Sequence, residues 1–347
     1  MKNRTFNSEL EKVAYASLFS TWDEQFLDTP EGEKAMREVL YDRQHRAEIF
    51  SIKWLARFLD LSSANVVEIG CGTGATTVPL SKRCRAILGL DIDDRSIRVA
   101  VERARHHRVA DRVKFETVAP ERMLESALTL QPDASVFVLY AVLEHLTPEE
   151  RLSYLSTMWR HLPPGGAIVV VETPNRLTWE DKHTTFSDFF HMIPDEYVPR
   201  YVEKTKRPGF ADTIKQVSPE NLRETRYRWG LGASFHEFEL AFAEPLAEIL
   251  VADGLEQEMV DMFPIESDEI ALRKYFVDRQ VAQPIGFSRA VLNLIFRKPG
   301  SADEREQNRE YNRLSLLRQQ ALMATPNASG TGGWRQSAGR WIRRRLG

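Results

Sequence analysis

The stretch 66–74, Val-Val-Glu-Ile-Gly-Cys-Gly-Thr-Gly, constrains the fold of this chain more than any other. Its β-branched and isoleucine residues predict a short buried strand. The glycines that follow at every second position remove Cβ atoms where the chain must turn, and residues 75–82 then have a helical pattern. This strand, turn and helix would present backbone N–H groups and a positive helix end to a closely approaching ligand.

A second landmark is Asp91, which ends the apolar run 86–90. An acidic side chain at the tip of the second strand of a βαβ unit can accept hydrogen bonds from a ribose diol. A nicotinamide dinucleotide site remains open at this point, because Gly70, Gly72 and Ala75 satisfy the pattern G-x-G-x-x-G/A.

Glu68 favours S-adenosylmethionine over a dinucleotide. It stands two residues before the first glycine, where its carboxylate can meet the ammonium of a methionine group and would repel a diphosphate. Gly74 completes the pattern E-x-G-x-G-x-G, and the segments 142–146 (Val-Leu-Glu-His-Leu) and 162–166 (Leu-Pro-Pro-Gly-Gly) follow at the expected intervals.

With these motifs the sequence resembles the class I S-adenosylmethionine-dependent methyltransferases, in the branch with a V-L-E-H signature. The resemblance covers residues 60–175 and, more weakly, 285–298. It implies an α/β fold with a seven-stranded Rossmann-like sheet, and S-adenosyl-L-methionine as the cofactor. The predicted cofactor-binding residues are Glu68, Gly70, Cys71, Gly72, Gly74, Asp91 and Tyr140, the last with its ring beside the sulfonium.

The chain divides into four predicted parts. Residues 1–62 form a helical N-terminal cover, with a lid over the active site as the alternative; 63–298 form the methyltransferase domain, 299–325 a helix and 326–347 a flexible basic tail. The later strands of the domain are predicted at 113–118, 135–140, 167–172, 256–263 and 290–296.

His145 is the first candidate for a catalytic base. The capping box Thr147-Pro148-Glu149-Glu150 starts a helix directly after it, which places His145 at the carboxyl end of the fourth strand, where such sheets bind ligands. Its pKa range suits removal of a hydroxyl proton. The alternative is that Glu144 and His145 only shape the cofactor pocket.

A long insertion after the fifth strand, 177–234, is rich in aromatic, histidine and acidic residues. This mixture suits a polar acceptor with apolar faces, such as a sugar, although the aromatic residues can equally form the insertion's own core. His183 and His191 are further candidate bases. We expect no metal site, since His183, Asp188 and His191 have a spacing that is diagnostic of no metal.

Composition restricts the kinds of partner and the location that we expect for this protein. The net charge of −3 argues against a protein that grips nucleic acid over its whole surface, and the two cysteines suggest neither a disulfide framework nor a zinc site. Without a long apolar run or a signal-peptide core, we expect a cytoplasmic protein. The arginine-rich stretch 334–347 offers peripheral membrane contact, or is a solvated terminus.

The sequence thus predicts methyl transfer to a sugar, a glycan precursor or another small polar metabolite, at oxygen. Three alternatives stay open: a binding module that has lost turnover, a quinone acceptor and a protein acceptor. A nicotinamide oxidoreductase is disfavoured by Glu68 and the Val-Leu-Glu-His segment.

Overall fold

The computed structural model describes residues 6–207 and 209–324. The chain forms two compact units that divide after Tyr140. The predicted basic tail, 326–347, lies outside the described residues.

The first unit contains four parallel strands. They are β1 (Asn65–Ile69), β2 (Ala86–Asp91), β3 (Val113–Thr117) and β4 (Val136–Tyr140). They pair in the order β3-β2-β1-β4, with Glu68 of β1 opposite Gly89 of β2 and Val138 of β4. Every residue of β1 and β4 is buried, as expected for central strands of a parallel sheet that is covered on both faces.

The helices of this unit surround the strands. They are α1 (Glu9–Ser17), α2 (Glu24–Leu27), α3 (Pro30–Arg37), α4 (Arg43–Arg46), α5 (Ile52–Phe58), α6 (Thr77–Ser81), α7 (Asp94–His106) and α8 (Met123–Leu130). Two π-helical segments, Glu38–Asp42 and Ala47–Ser51, join α3, α4 and α5 without a break. Thr29 caps α3 through the N–H of Gly32, and Pro30 occupies its first turn, where its missing N–H costs nothing.

The N-terminal helices pack on α7. Leu10, Phe19 and Leu40 share one buried cluster with Val99 of α7. From the same helix, the buried Arg103 donates to the carbonyl oxygens of Val39, Leu40 and Thr73. Arg103 therefore connects the glycine turn to the first π-helical segment. Its Nε, Nη1 and Nη2 atoms each donate a hydrogen bond, which offsets the cost of burying the charge.

The second unit holds three strands, β5 (Ala167–Pro174), β6 (Leu250–Ala252) and β7 (Val291–Arg297). They follow the order β5-β7-β6, and β7 is antiparallel to both neighbours. The helices are α9 (Pro148–His161), α10 (Val198–Tyr201), α11 (Phe210–Gln216), α12 (Leu222–Arg228), α13 (Phe235–Phe242), α14 (Leu246–Ile249), α15 (Gln257–Met262), α16 (Ser267–Arg279) and α17 (Ala302–Ala324).

The predicted sixth strand at 256–263 is wrong. That segment is mainly helix α15, and the strand is the earlier run Leu250–Ala252. Gly254, with φ +75°, turns the chain after β6, and the Glu256 carboxylate accepts the N–H of Gly254 at 3.0 Å. A three-residue strand next to a short helix carries too little periodicity to be recognised in the sequence.

The insertion after β5 builds a small core of its own. Phe190, Val198, Phe210 and other apolar residues form a buried cluster there. Phe189 and Tyr197 remain exposed, so the interpretation of the aromatic residues as core holds for Phe190 and not for these two.

The two strand orders, β3-β2-β1-β4 and β5-β7-β6, are those of the seven-stranded Rossmann-like methyltransferase fold, which confirms the predicted fold class. Among the described residues, no helix has the length and hydropathy needed to cross a membrane.

Candidate functional site

The glycine turn after β1 has the backbone that the sequence predicts. Gly70, Gly72 and Gly74 all have positive φ, between 52° and 73°. At Gly74 a Cβ atom would lie 3.1 Å from Ala100 Cβ and 3.1 Å from Phe115 Cζ, so α7 and β3 would have to shift slightly to admit a side chain. Both the dihedral angle and the packing therefore favour glycine here.

Asp91 closes this turn from the end of β2. Its Oδ2 accepts the N–H of Gly72 at 2.7 Å, and its Oδ1 accepts the N–H of Asp93 at 2.9 Å. Burial raises the pKa of Asp91, and the two backbone N–H groups oppose that rise. Each carboxylate oxygen keeps a further lone pair for a ligand, and the predicted contact with a ribose stays a prediction.

Glu68 lies in the buried end of β1. Its Oε2 accepts from the Thr77 hydroxyl at 2.6 Å. Burial raises its pKa from 4.5 to about 7, although Thr77 and the positive charge of Arg43 lower it. A ligand cation beside Glu68 would relieve the cost of the buried charge, which agrees with the predicted ammonium contact.

We expect Glu68 to make the stability of the ligand-free protein fall as the pH rises. Since its pKa is about 7 when folded and 4.5 ordinarily, the folded state keeps a proton that the unfolded chain releases. That stabilisation is complete below pH 4.5 and is lost as the pH passes 7, a change of about 3 kcal/mol. Urea unfolding between pH 5 and 8 should show a fall in stability that is smaller in Glu68→Gln than in the native protein by about the contribution of Glu68, while the other buried carboxyl groups with raised pKa values, such as Glu144, keep theirs.

The exposed Glu121 provides the matched control for this measurement. Glu121→Gln should keep the pH dependence of the native protein. If Glu68→Gln kept the full pH dependence of the native protein, Glu68 would not contribute to it.

Tyr140, at the end of β4, is buried, and the guanidinium carbon of Arg43 lies 5.8 Å from its ring centroid. The ring therefore faces a cation, the Arg43 guanidinium. The sulfonium that we predict beside this ring is also a cation. Cys71 turns its buried thiol towards the backbone of the turn, with Sγ 3.9 Å from the Gly72 carbonyl oxygen. Burial raises the pKa of this thiol well above its usual value, so it is inert.

The Val-Leu-Glu-His segment follows β4 in the second unit as the 3₁₀ helix Leu143–His145. The buried Arg151 of α9 fixes it: the guanidinium donates to the carbonyl oxygens of Leu143 at 2.6 Å and Glu144 at 3.2 Å. The same side chain donates to Gly232 O at 3.0 Å and to Glu237 at 2.7 Å. Arg151 thereby ties the segment to the end of the insertion.

Glu144, His145 and His183 converge on one point. The ring centroids of the two histidines are 5.3 Å apart, and His145 Nε2 lies 3.9 Å from Glu144 Oε1. One ligand atom from each residue falls within 4.8 Å of the other two. The structure thus brings together two of the three predicted catalytic histidines and adds a carboxylate, a group that we name the Glu-His-His cluster.

Burial sets the protonation of this cluster. It raises the pKa of Glu144 to about 8 and, with the charges of His145 and Arg207, lowers the pKa of His183 to about 3. Burial also lowers the pKa of His145. Both imidazoles are therefore neutral at neutral pH and offer lone pairs.

Backbone strain occurs around the same cluster. Ala141 and Glu172 are not glycines, yet they have φ of 55° and 61°. Ala141 directly follows β4, and Glu172 lies inside β5 where the pairing with β7 is irregular. The N–H of Glu172 donates to Asn293 Oδ1 at 3.0 Å, and its carboxylate charge acts on the pKa of both Glu144 and His183. Strain of this kind often marks functional positions.

His191, the third predicted catalytic histidine, has a different environment. It is buried, and its burial lowers its pKa, while the charges of Asp181 and Arg176 act on it in opposite directions. Of the described residues, those that converge with His183 are Glu144 and His145, and His191 is not among them. The structure therefore does not bring His191 into the Glu-His-His cluster.

A cleft of about 660 Å³ opens beside His145. Its lining is His145, Arg207, Asn221, Glu224, Thr225, Arg228 and Trp229. The Arg228 carbonyl oxygen lies 3.0 Å from Nδ1 of His145, and the Arg228 guanidinium donates to Glu150 at 2.7 and 2.8 Å. Arg207 stacks over Trp229, with its guanidinium carbon 4.8 Å from the ring centroid.

Sequence reasoning missed several residues of these sites. Thr77 donates a hydrogen bond to Glu68, and the charge of Arg43 acts on its pKa. The residues around the Glu-His-His cluster are Arg151, Glu172, Arg207, Arg228 and Gly230. These residues do not belong to a sequence motif that includes the site residues they contact. A signal existed only for Thr77, which lies on the helix after the glycine turn, and for Gly230, a glycine inside a helix-rich segment.

Comparison with known proteins agrees with the motifs. A family model described as a methyltransferase domain matches residues 66–166. A carboxy-S-adenosyl-L-methionine synthase of Erwinia tasmaniensis is 33% identical over 130 residues, which are 36% of this chain and 50% of that protein. The chain thus spans half the length of this relative.

A protein of Mycolicibacterium smegmatis named as a probable S-adenosylmethionine-dependent methyltransferase is 31% identical over 194 residues, which are 54% of this chain and 69% of that protein. Among solved structures, the magnesium protoporphyrin IX methyltransferase of Synechocystis with bound S-adenosylhomocysteine is 18% identical. Its TM-score is 0.35, over 48% of this chain and 72% of that one. Given the family model and the coverage of the mycobacterial relative, this chain belongs to the class I S-adenosylmethionine-dependent methyltransferases.

Proposed function

We propose that this protein transfers the methyl group of S-adenosylmethionine to an oxygen of a small polar acceptor such as a sugar or a glycan precursor. The observation that carries the proposal is the Glu-His-His cluster at the edge of a polar cleft, in a chain with a cofactor turn of this family. The sulfonium is already activated, so the protein has to position the acceptor and accept its hydroxyl proton.

The tautomer of His145 supports this role. A carbonyl oxygen can only accept, so the contact between His145 Nδ1 and Arg228 O at 3.0 Å places the proton of the neutral ring on Nδ1. The lone pair then lies on Nε2, the nitrogen that faces Glu144. The cluster therefore offers an unprotonated nitrogen next to the cleft.

The cleft lining favours a polar acceptor with one apolar face. Arginine, amide, hydroxyl and carboxylate groups account for most of the lining, and Trp229 supplies a ring. Such a combination suits a sugar, whose hydroxyl groups need partners and whose C–H face packs on an aromatic ring. The relatives suggest other outcomes, since a Psychrobacter protein that is 23% identical is named a ubiquinone biosynthesis O-methyltransferase.

Transfer of a labelled methyl group into a host extract tests the proposal. We expect label in the small-molecule or glycan fraction, and its loss with His145→Ala and His183→Ala. Label confined to lipid would indicate a quinone acceptor. Label confined to protein would indicate that the cleft binds a peptide. If S-adenosylhomocysteine bound and no label moved, the protein would be a binding module; a carboxylated cofactor in the mass spectrum would instead match the Erwinia relative.

We expect Gly230→Ala to abolish most of this transfer without changing cofactor affinity. Gly230 has φ +108°, and a Cβ atom there would lie 2.1 Å from His183 Nδ1 and 3.3 Å from His145 Cε1. The His183 ring must therefore move out of the cluster. Steady-state transfer and calorimetric binding of S-adenosylhomocysteine measure the two effects separately.

Gly165→Ala is the matched control, because Gly165 has φ +82° and a Cβ atom there would meet nothing within 4 Å. It introduces similar backbone strain without a clash. Equal losses of transfer in both variants would show that strain, and not the position of His183, limits the reaction.

A further inference from the structure

The Glu-His-His cluster leaves a buried carboxylate oxygen without a partner. Glu144 is 0% exposed, and its Oε2 accepts from the Thr173 hydroxyl at 3.3 Å. Within residues 6–207 and 209–324, its Oε1 has no hydrogen-bond partner. This oxygen points at the cluster, 3.9 Å from His145 Nε2.

The two imidazoles add nitrogen lone pairs beside this oxygen, one of them buried and, among the described residues, without a partner. His145 has its proton on Nδ1, against Arg228 O, which leaves the Nε2 lone pair facing Glu144. In the described part of the chain, the buried Nδ1 of His183 also lacks a hydrogen-bond partner. Unpaired buried polar atoms are costly, and two of them beside the free lone pair of His145 Nε2 indicate a missing ligand.

We propose that Glu144, His145 and His183 bind one divalent first-row transition-metal ion. Their ligand atoms lie within 4.8 Å of one another, so a small closure brings all three to bonding distance from a shared ion. Two imidazoles and one carboxylate suit Mn²⁺, Co²⁺ or Zn²⁺, whereas Mg²⁺ and Ca²⁺ prefer oxygen ligands alone. This set differs from His183, Asp188 and His191, the residues whose spacing led us to expect no metal site.

Neighbouring residues hold the three proposed ligands in place, as residues behind the ligands of a metal site do. The Arg228 carbonyl oxygen orients the ring of His145, and Arg151 holds the backbone of Glu144 through its carbonyl oxygen at 3.2 Å. Gly230 leaves the space that the ring of His183 fills. Partners of this kind fix the tautomer and direction of metal ligands.

The catalytic use of the ion rests on the proposed function, whereas its binding does not. Three protein ligands leave coordination positions for an acceptor hydroxyl, whose pKa the ion lowers. With the ion bound, the lone pair of His145 Nε2 is used by the metal, so the hydroxyl proton leaves to solvent and not to the histidine. A C–O bond forms and the C–S bond of the sulfonium breaks, without any change of oxidation state.

Titration of Co²⁺ alone into the chelator-treated full chain tests the site. We expect one equivalent to bind, with visible d–d absorption that reports nitrogen and oxygen ligands. Glu144→Gln and His183→Ala should each lower the affinity by more than about 100-fold, since loss of even an outer partner costs about 10–100-fold. His191→Ala, which removes another buried histidine of the insertion, should bind Co²⁺ like the native protein.

Absence of Co²⁺ binding in the folded native protein would overturn the site, as would unchanged binding in both ligand variants. Circular dichroism establishes that each variant is folded, and Glu144→Gln keeps the size of the side chain. Methyl transfer separates the two proposals. Transfer that survives chelator treatment in a protein without Co²⁺ binding refutes the metal site alone, whereas Co²⁺ binding without transfer to any fraction refutes the proposed function alone.

Discussion

Replacing Asp91 with alanine is expected to weaken binding of S-adenosylhomocysteine by at least about 100-fold, or about 2.7 kcal/mol. Hydrogen bonds to a charged group contribute about 1.5–3 kcal/mol each, and a ribose diol would make two. The substitution also removes the acceptor that holds the N–H of Gly72 at 2.7 Å, so the glycine turn loses its closure. Isothermal titration calorimetry measures the affinity.

Asp94→Ala is the control for this prediction. Asp94 begins α7 close to Asp91 in sequence, and its carboxylate is bound to Arg98 on the exposed face of the helix. We expect its affinity to stay within about twofold of the native value, because surface ion pairs contribute little. A loss below about tenfold in Asp91→Ala would mean that another residue holds the ribose.

Replacing Arg151 with methionine should lower the free energy of unfolding by about 3–5 kcal/mol. Arg151 is 0% exposed and donates to carbonyl oxygens on both sides of it, those of Leu143 and Glu144 and those of Leu231 and Gly232. Methionine fills much of the volume and donates nothing, so these buried oxygens and the Glu237 carboxylate lose their partner. Urea unfolding measures the change.

Arg160→Met on the same helix is the matched control. The Arg160 side chain is exposed and donates to the Thr157 hydroxyl at 3.1 Å, and we expect a change within about 0.5 kcal/mol. If Arg151→Met cost no more than this control, water would have to satisfy the freed carbonyl oxygens, and the segment Leu143–His145 would not depend on Arg151.

The cofactor turn could be predicted because its determinants are neighbours in sequence. Glu68, the three glycines and Asp91 belong to one βαβ unit, where local backbone rules fix the strand, the turn and the acidic tip. The capping box at Thr147 and Glu150 is equally local, and the structure confirms it at 2.8 and 3.3 Å.

The Glu-His-His cluster could be predicted only in pieces. His145 and His183 are candidates by residue type, but their meeting depends on the course of the insertion and on Gly230, far along the chain from both. His191 has the same residue type in the same insertion, and packing gives it other neighbours. Arg151 was missed because a fully buried arginine in a helix cannot be told from a solvated one by sequence.

The π-helical segment Glu38–Asp42 makes the position of Arg43 depend on the number of residues that precede it. Successive residues of an α-helix are rotated by about 100° around its axis, and a π turn takes up one residue more than an α turn does. Arg43 follows this segment directly and faces Tyr140. Deleting a single residue between 38 and 42 would therefore rotate Arg43 away, although Arg43 and Tyr140 themselves would both still be present. The position of Arg43 therefore depends on the number of residues in the segment 38–42 as much as on their identity.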